Sequence, residues 1–389
     1  MNPIHDVVPR SRALDLDALI DDRGIRVIVC CGAGGVGKTT TAAALALRAA
    51  DRGRNVVVLT IDPARRLAQS LGLTELDNDP RPVAGVTGEG ALAALMLDMK
   101  RTFDEFVESN TDPERAATIL ANPFYQSLSS SFAGTQEYMA MEKLGQLRAR
   151  ALAEGTWDLI VVDTPPSRSA LDFLDAPRRL GSFLDGRLIR LLTAPANAGG
   201  RAYFRVITAG FGVFTAVLSK IIGGQVLTDV QTFVGSVDTL FGGFRQRADD
   251  TFAMLQAADT AFLVVAAPEA DALREASYFV ERLRADAMPL AGLVLNRVQT
   301  TTLPDLDAAS ATAAAARLDA GPRTSITAAL LRIHADRVTT LERQRRLARR
   351  FTSAHRDVAV SVVPALPGDV VDLAGLRLIG RSLAAPADA

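Results

Sequence analysis

Short apolar, β-branched runs alternate with helix-forming stretches along most of the chain. Val27-Ile28-Val29-Cys30-Cys31, Asn55-Val56-Val57-Val58-Leu59-Thr60-Ile61, Leu159-Ile160-Val161-Val162, Ala261-Phe262-Leu263-Val264-Val265, Leu290 to Leu295 and Val358 to Val363 lack the polar alternation of a half-exposed strand. A strand apolar on both sides is covered on both sides, so these runs predict a parallel sheet flanked by helices. The fold class that follows is α/β: a doubly wound, mostly parallel sheet. In such folds ligands sit beyond the carboxyl ends of the strands.

Two stretches break the alternation. Residues 101–155 are helical in pattern, interrupted at Asn122-Pro123 and at the polar cluster Ser127 to Ser131. Residues 180–255 are apolar and rich in glycine. Within them Phe204, Ile207, Phe211, Phe214, Leu218 and Ile221 recur at three and four residues, as do Val226, Val230, Phe233, Val237 and Phe241. Both stretches are predicted to form a helical subdomain inserted into a core made of 23–100, 156–179 and 256–382, with an N-terminal extension at 1–22 and a flexible tail at 383–389. The apolar segment 206–219 lies between Arg205 and Lys220 and falls short of the roughly 20 residues that a membrane-spanning helix requires. It reads as bundle core or as a groove for an apolar partner. Glycines 210, 212, 223, 224, 235, 242 and 243 favour helices that rearrange over a rigid bundle.

Between the first strand and an alanine-rich helix from Thr40 to Asp51 lies Gly32-Ala33-Gly34-Gly35-Val36-Gly37-Lys38-Thr39, which satisfies G-x-x-x-x-G-K-[ST]. Strand, glycine loop and helix stand in the order of a P-loop nucleoside triphosphatase. The backbone amides of Gly34, Gly35, Val36, Gly37, Lys38, Thr39 and Thr40 would cradle phosphate oxygens, with the positive end of the helix adding its field. Lys38 would reach the β- and γ-phosphates, and the Thr39 hydroxyl would enter the shell of a Mg²⁺ ion otherwise carried by water and phosphate. The cofactors expected are therefore ATP and Mg²⁺. Lysine is scarce here, with only Lys38, Lys100, Lys143 and Lys220 among 43 basic residues, so one inside the glycine loop carries weight.

Two carboxylates close predicted strands. Asp62, in Thr60-Ile61-Asp62-Pro63-Ala64-Arg65-Arg66, would orient or deprotonate the attacking water, or else cap a helix. Asp163, closing Leu159 to Val162, would hold a metal-bound water, or else serve a strand-end turn; Thr164 to Arg168 would then sense the γ-phosphate.

Composition narrows the partners. Across 389 residues the formal net charge is −1 and the pI near 6.4, which gives no global attraction to nucleic acid or to an anionic membrane. Any membrane contact is expected to be peripheral. The adjacent Cys30 and Cys31 fit neither a C-x-x-C metal clip nor a disulfide framework. With no apolar leader in Met1 to Asp22, a cytoplasmic location is expected. The basic run Glu342 to Arg350 reads as a solvated helix face, and His5, His334 and His355 are too dispersed for a metal site.

Gly32 to Thr40, Asp62-Pro63-Ala64, Asp163-Thr164-Pro165-Pro166-Ser167 through Leu171-Asp172-Phe173-Leu174, Val265 to Glu269, Leu295-Asn296-Arg297 and Pro364 to Gly368 together resemble the family of the arsenite-pump ATPase and the guided-entry ATPase of tail-anchored protein targeting. The resemblance covers most of the chain. It implies that Asn296, Pro364, Ala365 and Leu366 read adenine, and that the helical insertions carry a client or effector surface. It also implies a dimeric, ATP-driven switch.

Departures from the family pattern are equally informative. The family's loop carries a lysine directly after the first glycine, which crosses to the partner's phosphates; here that residue is Ala33. A homodimer would lack that cation at each site, so the expectation is either a heterodimer with a lysine-retaining paralogue or a slow homodimer. The arsenite-binding cysteines and the zinc C-x-x-C have no counterpart, and phenylalanine, valine and leucine replace a methionine-rich groove. A second reading, from another class, is a nucleotide-binding regulatory or scaffold subunit with little turnover. Ala33 favours it, while Thr39, Asp62 and Asp163 oppose it.

Overall fold

The computed structural model describes residues 12–61, 66–123, 125–126, 135–165, 246–247, 249–318 and 325–384. Its contacts separate into two compact units. One comprises the described residues within Met1–Met96, Leu147–Leu171 and Met254–Ala389, and the other those within Leu97–Gln146 and Asp172–Ala253. The apolar repeats between Phe204 and Phe241, and with them most of the expected client surface, lie outside the described residues.

The first unit holds an eight-stranded sheet in the order β3-β4-β2-β5-β1-β6-β7-β8. Its strands are β1 (Val27–Cys31), β2 (Asn55–Thr60), β3 (Arg81–Pro82), β4 (Ala91–Met96), β5 (Leu159–Asp163), β6 (Thr260–Ala266), β7 (Leu290–Val298) and β8 (Val360–Pro364). All neighbours pair in parallel except β3, which runs antiparallel to β4. The doubly wound α/β architecture and the strands expected from the apolar runs are present. β1, β5 and β6 are buried at every residue, as strands covered on both faces must be.

β4 is the exception to the apolar pattern. Its sequence, Ala91-Leu92-Ala93-Ala94-Leu95-Met96, consists of good helix formers, yet it lies in register beside β2 from Asn55↔Ala91 to Thr60↔Met96. Tertiary pairing here overrides local propensity, because the exposed flank of β2 offers a ready ladder of backbone groups.

Helix α1 (Leu16–Asp21) precedes β1, α2 (Lys38–Asp51) packs on β1, β2, β4 and β5, and α3 (Arg66–Ser70) lies beside α2. α2 is buried nearly all round: Ala42, Ala43, Ala44, Leu45, Ala46, Leu47, Ala49 and Ala50 are at most 1% exposed. Small side chains let such a helix lie close against the sheet. After α7 (Ala270–Ala285), α8 (Ala308–Leu318) and the long α9 (Ser325–Ala354), α10 (Leu373–Ala384) packs beside α2 and against β8. α10 runs through Leu383, which is fully buried and whose carbonyl accepts the Ser361 hydroxyl at 3.2 Å; only 385–389 of the expected tail lie outside the described residues. Upstream of α1 the chain makes a parallel bridge, Ala13↔Val360, along the outer side of β8.

Arg54, at the mouth of β2, is the largest of the fully buried side chains among the described residues. Its guanidinium donates to the carbonyls of Ile20, Asp22, Ile25 and Asp158 at 2.7–3.0 Å, and to Asp158 Oδ1 at 2.6 Å. One cation thus fastens the α1–β1 connection to the starts of β2 and β5.

In the second unit, α4 (Met99–Asn110) and α5 (Pro113–Ala121) are capped by Asp98 and Asp112, which accept the amides of Arg101 and Arg115. α6 (Thr135–Glu154) begins in this unit, and Lys143 on it pairs with Glu105 at 3.1 Å. Fully buried Tyr125 packs its ring at a tilt against Phe103 and donates its hydroxyl to Asp104 at 2.6 Å. Among the described residues no helix is long and apolar enough to cross a membrane.

The Arg54 cluster generates a stability prediction. Arg54→Leu keeps the apolar stem but strips a donor from four carbonyls and a carboxylate. Although the Asp22 carbonyl keeps the Ile25 N–H and the Asp158 carboxylate keeps Arg23, the change should destabilise the first unit by about 3 kcal/mol or more. Thermal unfolding followed by circular dichroism measures the loss.

Candidate functional site

The carboxyl edge of the sheet gathers the candidate chemistry. Strand register sets Asp163 at the end of β5 between Cys30 of β1 and Thr60 of β2. Asp163 is fully buried, and its Oδ2 accepts the Thr60 hydroxyl at 2.9 Å. Next to it, the Thr164 hydroxyl donates to the Cys30 carbonyl at 2.9 Å, and Ile61 N–H donates to the Asp163 carbonyl at 3.0 Å. The ends of β1, β2 and β5 are therefore stitched together through Asp163 and its neighbour. Ile61 is the last described residue before Asp62, so Asp62, Pro63, Ala64 and Arg65 lie outside the described residues, as does the Pro166 to Arg168 loop.

The glycine loop follows β1 as the sequence pattern requires. Gly32, Gly35 and Gly37 have φ of 148°, 76° and 94°. At two of them a side chain has no room. A Cβ on Gly32 would stand 2.0 Å from the Val265 carbonyl oxygen of β6, and one on Gly37 would stand 2.3 Å from Asn296 Nδ2 of β7. The loop is thus pressed against two strands on the side away from β5.

Gly37 is the N-cap of α2 and supplies no side-chain cap, and no acidic residue stands in the first turn. The positive end of the helix dipole at this terminus therefore meets no carboxylate from the helix's own first turn. Gly34 and Gly35 are exposed, and Thr39 and Thr40 are half-buried. Lys38 is 6% exposed; its ammonium folds back across the loop and donates to the Ala33 carbonyl at 2.8 Å. Ala33, where the resemblance expects lysine, buries its methyl group and adds no charge.

Asn296 and Arg297 approach the loop from the end of β7. Asn296 Nδ2 donates to the Val36 carbonyl at 2.8 Å, and Arg297 Nη1 donates to the Gly35 carbonyl at 2.9 Å. The adenine-reading role expected for Asn296 thus belongs to a residue whose amide already engages the phosphate loop. Pro364 ends β8 and Ala365 and Leu366 follow it, with Ala365 N–H donating to the Val298 carbonyl at 2.8 Å, so this segment and Asn296 lie near neighbouring strand ends. Beyond β6, Pro268, Glu269, Thr340, Arg343 and Gln344 line a cavity of about 360 Å³.

The residues fit a nucleoside triphosphate and a divalent ion. Backbone donors at the α2 terminus and the Lys38 ammonium suit phosphate oxygens, and buried Asp163 with half-buried Thr39 suits an ion that keeps most of its water. Among the described residues no three His, Cys, Asp or Glu side chains gather into a metal-binding group, so the phosphates and water would supply the remaining ligands.

Both cysteines are buried in β1. Burial pushes the Cys31 thiol up to about 12, and burial together with the Asp163 charge drives Cys30 well above its ordinary value. Neither forms a thiolate at neutral pH.

Thr60, Thr164 and Arg297 are parts of this site to which sequence reasoning gave no individual role. The two threonines stand at strand ends beside the predicted Asp163, and that position was the available signal. Arg297 is marked only as a neighbour of Asn296 in the Leu295-Asn296-Arg297 segment, because its placement depends on a backbone conformation that arginine rarely adopts.

A protein-family model described as anion-transporting ATPase matches residues 25–318. The chain is similar to the ATPase GET3 of Malassezia globosa, 30% identical over 162 residues that cover 42% of this chain and 45% of that protein. It is 25% identical to the ATPase GET3 of Podospora anserina over 285 residues, 73% of this chain and 76% of that protein. An arsenical pump-driving ATPase of Acidiphilium multivorum is 30% identical over 156 residues, 40% of this chain and 26% of that protein. The chain thus spans less than half the length of the Malassezia relative that it matches.

Two outcomes follow from this geometry. Gly37→Ala forces a Cβ against Asn296 in a left-handed backbone and should weaken binding of inorganic tripolyphosphate by more than about tenfold, measured by calorimetry. With the Cys31 thiol at about 12, only about one molecule in ten thousand carries that thiolate at pH 8. A thiol-reactive dye should therefore label neither cysteine in the folded chain, and both once guanidinium has unfolded it.

Proposed function

The chain belongs to the anion-transporting ATPase family, and from that premise we propose that it binds ATP with Mg²⁺ and hydrolyses it. The observation that carries this reading is the braced glycine loop, which ends on an uncapped helix terminus with Lys38 folded across it. In the proposed complex Lys38 leaves the Ala33 carbonyl for the β- and γ-phosphate oxygens, exchanging a neutral acceptor for a charged one. The amides from Gly34 to Thr40 hold the remaining phosphate oxygens. Thr39 would enter the shell of the ion and Asp163 would hold a water bound to it, and the ion would neutralise charge on the phosphates. Thr60 keeps the Asp163 carboxylate oriented.

Asp62 follows Thr60 by two residues and orients the attacking water. Asn296, Pro364, Ala365 and Leu366 receive the base at the ends of β7 and β8. Hydrolysis is coupled to rearrangement of the helical insertions, which grip or release an apolar client. Arsenite is not the substrate of this chain: Cys30 and Cys31 lie inside the sheet and present no thiolates to it.

The functional unit in this reading is a dimer. Ala33 leaves each loop without a cation after its first glycine, so we propose pairing with a related subunit that retains lysine there. The same residue supports the second reading, a nucleotide-binding scaffold that turns over slowly by itself. Single-turnover assays of the purified chain, alone and mixed with such a paralogue, separate the two. The switch requires a burst of phosphate release that the paralogue accelerates, and the scaffold requires nucleotide binding with no burst in either case.

Asp62→Asn should lower kcat by at least about 100-fold while leaving the Kd for ATP within about twofold. Phosphate release and calorimetry read the two quantities, and hydrolysis at the parental rate would remove Asp62 from the mechanism. Lys38→Met should instead abolish binding itself.

A further inference from the structure

We propose that Asn296 and Arg297 form a two-pronged brace that orients the phosphate loop, and that Arg297 is a positioning residue for nucleotide binding. The inference rests on the nucleotide-binding reading of that loop and assigns Arg297 a role within it.

Successive residues of a regular strand project to opposite faces, so neighbours on β7 would not both reach the same loop. Here they do. Arg297 adopts φ of 60°, one of two non-glycine residues with positive φ among those described. The β7–β8 ladder shifts register over the same stretch, between Leu295 and Val298. Bulges of this kind re-aim side chains at the cost of local pairing. The Asn296 side-chain oxygen also accepts the Arg297 backbone N–H at 2.9 Å, which fixes the two residues to each other. The result is two consecutive side chains on two consecutive loop carbonyls, Asn296 on Val36 and Arg297 on Gly35.

The effect on the loop follows from the geometry of the peptide unit. In a trans peptide the carbonyl and the N–H point in opposite directions. Drawing the Gly35 and Val36 carbonyls toward β7 turns the N–H groups of Val36 and Gly37 away from it, to the side where phosphate is expected. Without the brace those two peptide planes are free to flip, since Gly35 and Gly37 permit both orientations. Arg297 is itself exposed, so its unusual backbone is not explained by burial. Its carbonyl partner on the loop gives it a reason.

Three variants of the full-length chain test the proposal by calorimetric titration with ATP and, separately, with inorganic tripolyphosphate, alongside thermal unfolding. Arg297→Met removes the donor and should weaken both ligands by the same factor, about tenfold for a charge-assisted bond. Arg297→Lys restores a donor and should recover part of that loss. Arg297→Gly is the decisive variant, because glycine suits a left-handed backbone and should unfold no earlier than the parent, yet should bind both ligands about tenfold more weakly. Parental affinity in the glycine variant would overturn the brace. So would a loss confined to ATP with tripolyphosphate unchanged, which would make Arg297 a reader of the base. A parental chain that binds neither ligand would overturn the nucleotide reading itself, an outcome distinct from both.

Discussion

A peptide plane can aim its N–H at a ligand only if the carbonyl on its other side finds a partner. That constraint organises the carboxyl edge of this sheet. The loop between β1 and α2 lies against protein, and three of its carbonyls accept side-chain donors: Ala33 from Lys38, Gly35 from Arg297 and Val36 from Asn296. A loop whose carbonyls are held on one side presents the N–H groups of the same peptide planes to the other, the arrangement that an anion cradle requires.

The same edge needs strands that do not shift. Asp163 is placed by pairing β5 with β1 on one side and β2 on the other, and Thr60 and Thr164 add side-chain bonds to that pairing. At the opposite end of these strands Arg54 ties the starts of β2 and β5 to the segment before β1. The alanine-rich α2, buried almost all round, transmits this order to the loop because its first residue is Lys38. A stability element at one end of the sheet and the candidate site at the other are thus two ends of the same three strands.

Much of this was legible in the amino-acid sequence because it depended on local features. Apolar runs without alternation gave six strands and their parallel sense, and the glycine loop declared itself by spacing, as did Lys38, Thr39 and Asp163 by position. What escaped required knowledge of distant partners. β4 is written in alanine, leucine and methionine and becomes a strand only because β2 offers it a ladder. The brace at Asn296 and Arg297 depends on a register shift that no residue type announces, since an arginine with positive φ carries no glycine to mark it. Leu383 looked like the start of a frayed end by composition, but it is the last buried turn of α10.

The two margins of the sheet bear on assembly. On one side the outermost strand, β3, is two residues long and contains a proline, which cannot donate to a further neighbour. On the other, Leu14 N–H donates to the Val360 carbonyl and Val360 N–H to the Arg12 carbonyl, so an outward-facing part of β8 is already occupied. Lateral strand addition is blocked at one margin and obstructed at the other. Among the described residues, a partner laid against either margin would therefore meet side chains and already engaged backbone rather than an open ladder.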